Sequence, residues 1–141
     1  MKPVFADTGF WIALLHPKDR WHEQAIALYQ QIQSQQRKVI TSEMVLTEFL
    51  NFFSKFAPLV RQETGRVVQQ MRLHPNVIVI PQDSQQFQQA LDLYLQRPDK
   101  AWSLTDCNSF ALMQQLDLTE ALAHDKHFKQ AGFITLLGEE I

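Results

Sequence analysis

Four carboxylates stand at addresses where a charge is expensive. Asp7 directly follows the apolar run Val4-Phe5-Ala6, and Asp125 follows Ala121-Leu122-Ala123 after one residue. Glu48 is four residues from Met44 and Phe52 and three from Val45, at the border of an apolar helical stripe. Asp106 falls in the first turn of an amphipathic stretch from Thr105 to Leu116, with Phe110 and Met113 on the same side. A charge in such places costs several kcal/mol unless it is paired or bound to a metal. Four carboxylates gathered within a few ångströms would repel and partly protonate. Divalent cations remove that penalty. Mg2+ and Mn2+ favour oxygen ligands, and two ions about 3.5–4 Å apart stabilise the attacking and leaving oxygens of a phosphoryl displacement. The chemistry this pattern points to is phosphodiester hydrolysis.

Each acid also has a plain structural use. Asp7 and Asp125 suit helix N-caps, Ser103-x-x-Asp106 is close to a capping box, and Glu48 suits an arginine partner. His124 and His127 flank Asp125 but lack a third soft ligand for zinc, which leaves phosphate or leaving-group contacts, or a place on the surface. Cys107 reads as a small buried side chain, since no base is identifiable beside it. Lys55, Arg61, Arg66 and Arg72 form a sparse basic series, read as a solvated helix face ahead of a guide for RNA phosphates. Trp11 reads as packing, while Trp21 and Trp102 stay open between packing and base stacking.

The elements that must position these residues follow from hydrophobic periodicity. Short apolar runs at Pro3–Ala6, Val39–Thr41, Val77–Ile80, Ala121–Ala123 and Phe133–Leu137 read as strands covered on both faces. Helical segments of roughly 10 to 18 residues separate them, the signature of βαβ units. The expected fold class is α/β, a three-layer sandwich with a five-stranded, mainly parallel sheet flanked by helices. In such sheets ligands bind beyond the carboxyl ends of the strands, where the strand order reverses. Asp7 and Asp125 therefore share one edge and face each other if their strands are neighbours.

Composition bounds the rest. The chain has 141 residues, 45% of them apolar, which fits a single domain over 1–141 burying roughly 68% of its unfolded surface. One cysteine excludes an intramolecular disulfide framework, and no apolar run approaches the ~20 residues of a membrane span. The N-terminal apolar run is too short for a signal peptide, so a cytoplasmic location is expected. With 13 basic and 15 acidic side chains the net charge is −2, which argues against gripping nucleic acid by bulk positive charge. Metal ions at one site would resolve that tension locally.

Taken in series, four segments resemble the motifs of PIN-domain nucleases: Phe5-Ala6-Asp7-Thr8-Gly9-Phe10, Val45-Leu46-Thr47-Glu48-Phe49, Ser103-Leu104-Thr105-Asp106-Cys107-Asn108, and Ala123-His124-Asp125-Lys126-His127-Phe128 with the trailing Phe133. The resemblance implies a metal-dependent endoribonuclease acting on single-stranded or structured RNA, with Asp7, Glu48, Asp106 and Asp125 as acidic metal ligands and Thr8 and Thr105 as polar neighbours. It further implies a relation to VapC-type toxins, with a cognate antitoxin and a homodimer as expected partners. Where many members carry threonine or serine two residues before the fourth acid, this chain has Ala123. Two other readings remain: a catalytically quiet PIN-fold binding module, and a phosphoacceptor receiver-like domain. The second would require an acidic pair where Asp7 stands alone.

Overall fold

Residues 1–138 are described by the structure, a computed structural model. Five short strands are set between helices in the order β1 (Val4–Ala6), α1 (Thr8–Leu15), α2 (His22–Ser34), β2 (Val39–Ser42), α3 (Glu43–Phe53), α4 (Pro58–Leu73), β3 (Val77–Ile80), α5 (Ser84–Gln96), α6 (Leu104–Gln115), β4 (Glu120–Leu122), α7 (Lys126–Gln130) and β5 (Ile134–Thr135). The sheet order is β3-β2-β1-β4-β5 and every pairing is parallel. The expected three-layer α/β sandwich is the observed one.

The chain winds outward from β1 to β3 and then crosses back to β4 on the other side of β1. Right-handed crossovers then cover one face with the helices before β3 and the opposite face with those after it. Both faces being covered explains the unbroken apolar runs: Val4, Phe5 and Ala6 are fully buried, as are Ala121 and Leu122. The reversal of strand order lies between β1 and β4, where Phe5 pairs with Ala121 and Ala6 with Leu122. That junction carries Asp7 and, beyond β4, Asp125.

Helix boundaries follow local chemistry. The Ser42 hydroxyl accepts the Val45 N–H at the start of α3, and Asp83 accepts the Gln86 N–H at the start of α5. Pro58 opens α4 at its first helical position. Boundaries also correct the sequence reading. Pro3 lies outside β1, β2 extends to Ser42, and α6 starts at Leu104 and ends at Gln115. β4 starts one residue earlier than expected, at Glu120, and ends at Leu122, so two residues separate it from Asp125. Glu120 is admitted to the strand because Arg37 Nη2 meets its Oε1 at 2.6 Å. β5 shrinks from the expected Phe133–Leu137 to Ile134–Thr135, although Leu136 and Leu137 still donate to the carbonyls of Ala121 and Ala123.

Candidate metal centre

Asp7 occupies the N-cap position of α1 in extended conformation, yet its side chain makes no capping hydrogen bond. Its backbone N–H donates to the Leu122 carbonyl at 3.1 Å, tying the tip of β1 to the tip of β4. Trp11 Nε1 donates to the Thr41 hydroxyl, which donates to the Ala6 carbonyl at 2.9 Å and fastens α1 over the ends of β1 and β2. Asp7 is thereby held 8% exposed, with a side chain that does not cap the helix it opens.

Glu48 reaches the same region from the middle of α3, a helix that packs on both α1 and α6. Its Oε1 accepts a 2.7 Å hydrogen bond from the Thr8 hydroxyl, the residue next to Asp7. The partner is thus a hydroxyl from α1 and not the arginine that a purely structural role would call for.

Asp106 carries two tasks at once. Its Oδ2 accepts the Ser103 N–H at 3.0 Å while the Ser103 hydroxyl accepts the Asp106 N–H, completing a capping box at the head of α6. The same Oδ2 lies 3.0 Å from His127 Nδ1. Asp125 caps α7, its Oδ1 accepting the His127 N–H at 2.9 Å and lying 3.3 Å from His127 Nδ1. The structural and the chemical uses of Asp106 and Asp125 coexist.

The electrostatics join the four. Asp7 is pushed up from 3.8 to about 7, above all by burial; the Thr8 N–H pulls against this, and the charges of Asp106, Glu48 and Asp125 add to it in that order. Side chains from α3, α6 and the N-cap of α7 thus bear on the carboxyl that follows β1, and among the described residues no cation is one of the groups that act on it. A carboxyl left protonated near neutrality by burial, with three other acids adding to the shift, is what a cation site shows when considered without its cation. Oxygen-rich donors of this kind fit hard divalent ions such as Mg2+ and Mn2+.

His127 is the residue that sequence reasoning undervalued. Ligand atoms of Asp106, Asp125 and His127 lie within 4.8 Å of one another. Set against its pairing with His124, His127 looked loosely placed. The informative spacing was to Asp125, two residues earlier across the start of α7, where the capping turn folds the imidazole back onto the carboxylates. His124 instead sets its ring against Trp21.

Three of the remaining candidates have structural roles. Cys107 is fully buried, and burial followed by the Asp106 charge pushes its thiol up, away from nucleophilic chemistry. Trp102 is buried and donates to Gln130. Arg61 donates to the Ser54 carbonyl at 2.6 Å, tying α4 to the end of α3.

Comparison with known proteins agrees with this fold. The 23S rRNA-specific endonuclease VapC20 of Mycobacterium tuberculosis is 28% identical over 136 residues, which cover 96% of this chain and 99% of that protein. The crystal structure of M. tuberculosis VapC20, described as a sarcin-ricin loop cleaving toxin, superposes with a TM-score of 0.79 at 25% identity, covering 95% of this chain and 98% of that one. FitAcB from Neisseria gonorrhoeae shares the fold at a TM-score of 0.65 and 16% identity, with 94% of each chain covered. The family model described as PIN domain matches residues 4–134, nearly the whole length, and this chain therefore belongs to the PIN domain family.

Proposed function

We propose that this protein is a divalent-metal-dependent endoribonuclease, with Asp7, Glu48, Asp106 and Asp125 as the residues that hold Mg2+ or Mn2+. The observation that carries the reading is the gathering of acids around Asp7. Glu48 is held by the neighbouring Thr8, and ligand atoms of Asp106 and Asp125 lie within 4.8 Å of each other. Buried Asp7, raised to about 7, feels all three charges, with no cation among the described residues that act on it. When bound, the ion supplies positive charge to the phosphate and Lewis-acid activation of the attacking water.

The protein's own groups prepare that site. The Thr8 hydroxyl fixes Glu48, and His127 bridges Asp106 and Asp125, so three carboxylates are oriented before any ligand arrives. A carboxylate of the quartet accepts the proton of the attacking water as the water oxygen bonds to phosphorus and one bridging P–O bond breaks. A local cation site also explains how a chain of net charge −2 meets a polyanion.

Similarity to VapC20 extends the proposal. RNA is the substrate class, with the sarcin-ricin loop of 23S rRNA as the first sequence to try. The chain acts as a single domain over 1–141, as the toxin of a toxin–antitoxin pair, in the cytoplasm. Among the described residues no helix is long and apolar enough to cross a membrane. A homodimer is supported by the apolar side chains left exposed on α3 and α5, among them Phe52, Phe87 and Leu95.

The test is direct. Purified protein with Mg2+ or Mn2+ is expected to cut RNA, and an equally folded Asp7→Asn variant is expected not to. Parent protein that hydrolyses no RNA with either ion would overturn the proposal. A growth arrest on expression, relieved by co-expressing a small adjacent reading frame, supports the toxin assignment.

A further inference from the structure

The rim of the acidic pocket carries a group of side chains that metal holding leaves unused. Trp21, where the chain enters α2, and His124, the residue before Asp125, face each other with ring centroids 5.6 Å apart and planes inclined by 31°. The guanidinium carbon of Arg20 lies 4.5 Å from the centre of the same indole. On the α1 side, His124 Nε2 comes within 3.0 Å of where a Cβ on Gly9 would stand, so the first turn of α1 is bare where the imidazole approaches it.

Position gives this group its meaning. Gly9 is two residues past Asp7 and His124 is one before Asp125, so the ring stack begins where the carboxylates end. Trp11 and Trp102 are packed away at 1% and 6% exposure, whereas Trp21 is half-buried and His124 exposed. Aromatic faces beside a site that takes a backbone phosphate are what unpaired bases stack on, irrespective of sequence.

We propose that His124, backed by Trp21, is a stacking platform for an unpaired nucleobase adjoining the cleaved phosphate. The proposal rests on the nuclease reading above, because it takes single-stranded RNA as the ligand.

The test measures binding rather than turnover. A six-nucleotide single-stranded RNA is titrated into the full chain carrying Asp7→Asn, with Ca2+ present, and affinity is read by anisotropy of an end label. Quenching of tryptophan fluorescence is followed in parallel. His124→Ala is expected to weaken binding about 10-fold, within the range of one lost base stack, and His124→Phe to restore it. Gly9→Ala keeps the histidine but crowds its ring, and a loss of the same sign is expected. Removing one base from the oligonucleotide, at the position that stacks, should cost the parent that factor and His124→Ala nothing more. Quenching should vanish in Trp21→Leu.

Equal affinity of parent and His124→Ala would overturn the platform, as would a penalty that stays additive with every abasic position. If the parent still cuts RNA in that case, the nuclease reading stands and only the platform falls. Absence of cleavage by the parent with Mg2+ or Mn2+ removes both.

Discussion

The two ends of the sheet treat charge in opposite ways. At the amino ends of the strands, charges are matched. Arg37 donates through Nε to the Lys2 carbonyl and through Nη2 to Glu120, Lys2 meets Asp117 at 3.0 Å, and Lys38 spans the Pro75 carbonyl and Asn76. At the carboxyl ends, Asp7 lies among Asp106, Glu48 and Asp125, and among the described residues the groups acting on it include no cation. Acids of one type are thus anchors at one end and a source of strain at the other. Folding alone accounts for the first end; the second makes sense when a ligand supplies the missing positive charge.

The contrast is broken most severely by neutralising an acid at the carboxyl end. Asp7→Asn is expected to lower RNA cleavage about 1000-fold, corresponding to several kcal/mol of lost transition-state stabilisation, while leaving the circular dichroism spectrum unchanged. Full activity in that variant would remove the site from consideration.

Next in size is the dependence of stability on pH. The folded value of about 7 for Asp7 lies above its unfolded value of 3.8, so the protonated form is favoured by the fold. Stability of the metal-free protein is therefore fully present below about pH 3.8 as far as this group is concerned, and is lost as pH rises through about 7. The loss approaches roughly 4 kcal/mol for one fully shifted group. Urea denaturation between pH 5 and 8.5 follows the upper part of that decline and its levelling above about pH 7. The decline should flatten in Asp7→Asn and on adding Mn2+, which binds only the folded form.

At the other end the expected loss is smaller and indifferent to metal. Arg37→Met leaves Glu120 without its partner and should cost about 2–3 kcal/mol in chemical denaturation, since Arg37 is well buried but Glu120 keeps some access to water. Mn2+ should shift parent and variant by equal amounts. The finest test concerns His127, whose ring bridges Asp106 and Asp125. His127→Ala is expected to weaken Mn2+ binding by about 10- to 100-fold in calorimetry, with little change in thermal midpoint. Unchanged metal affinity would leave His127 as packing only.

These differences also explain what could be read before any coordinates. β1 and β2 were legible because strands covered on both faces become unbroken apolar runs, and β3 because Val77–Ile80 is apolar throughout even though Ile78 at the sheet edge is exposed. The limits of β4 and β5 were not. Glu120 enters β4 through an arginine 83 residues away, and pairing in β5 stops after two residues at the sheet edge. Asp7 and Asp125 could be placed at the switch point because each closely follows a strand, and β1 and β4 are indeed neighbours. The closeness of Asp106 to His127 depends on α7, a helix of five residues, too short for periodicity to announce. Trp102 was ambiguous for a related reason, since its partner Gln130 belongs to the same short helix.

The adjacency of β1 and β4 has a consequence for how the protein comes into being. The opening strand receives one neighbour early, at Val39 and Ile40, but its other neighbour only at Ala121 and Leu122. A chain emerging amino terminus first holds Asp7 ready for most of its synthesis with nothing to complete it. The pocket closes only after Ala121 and Leu122 have emerged, so a chain halted before β4 lacks the neighbour that brings Asp125 to Asp7.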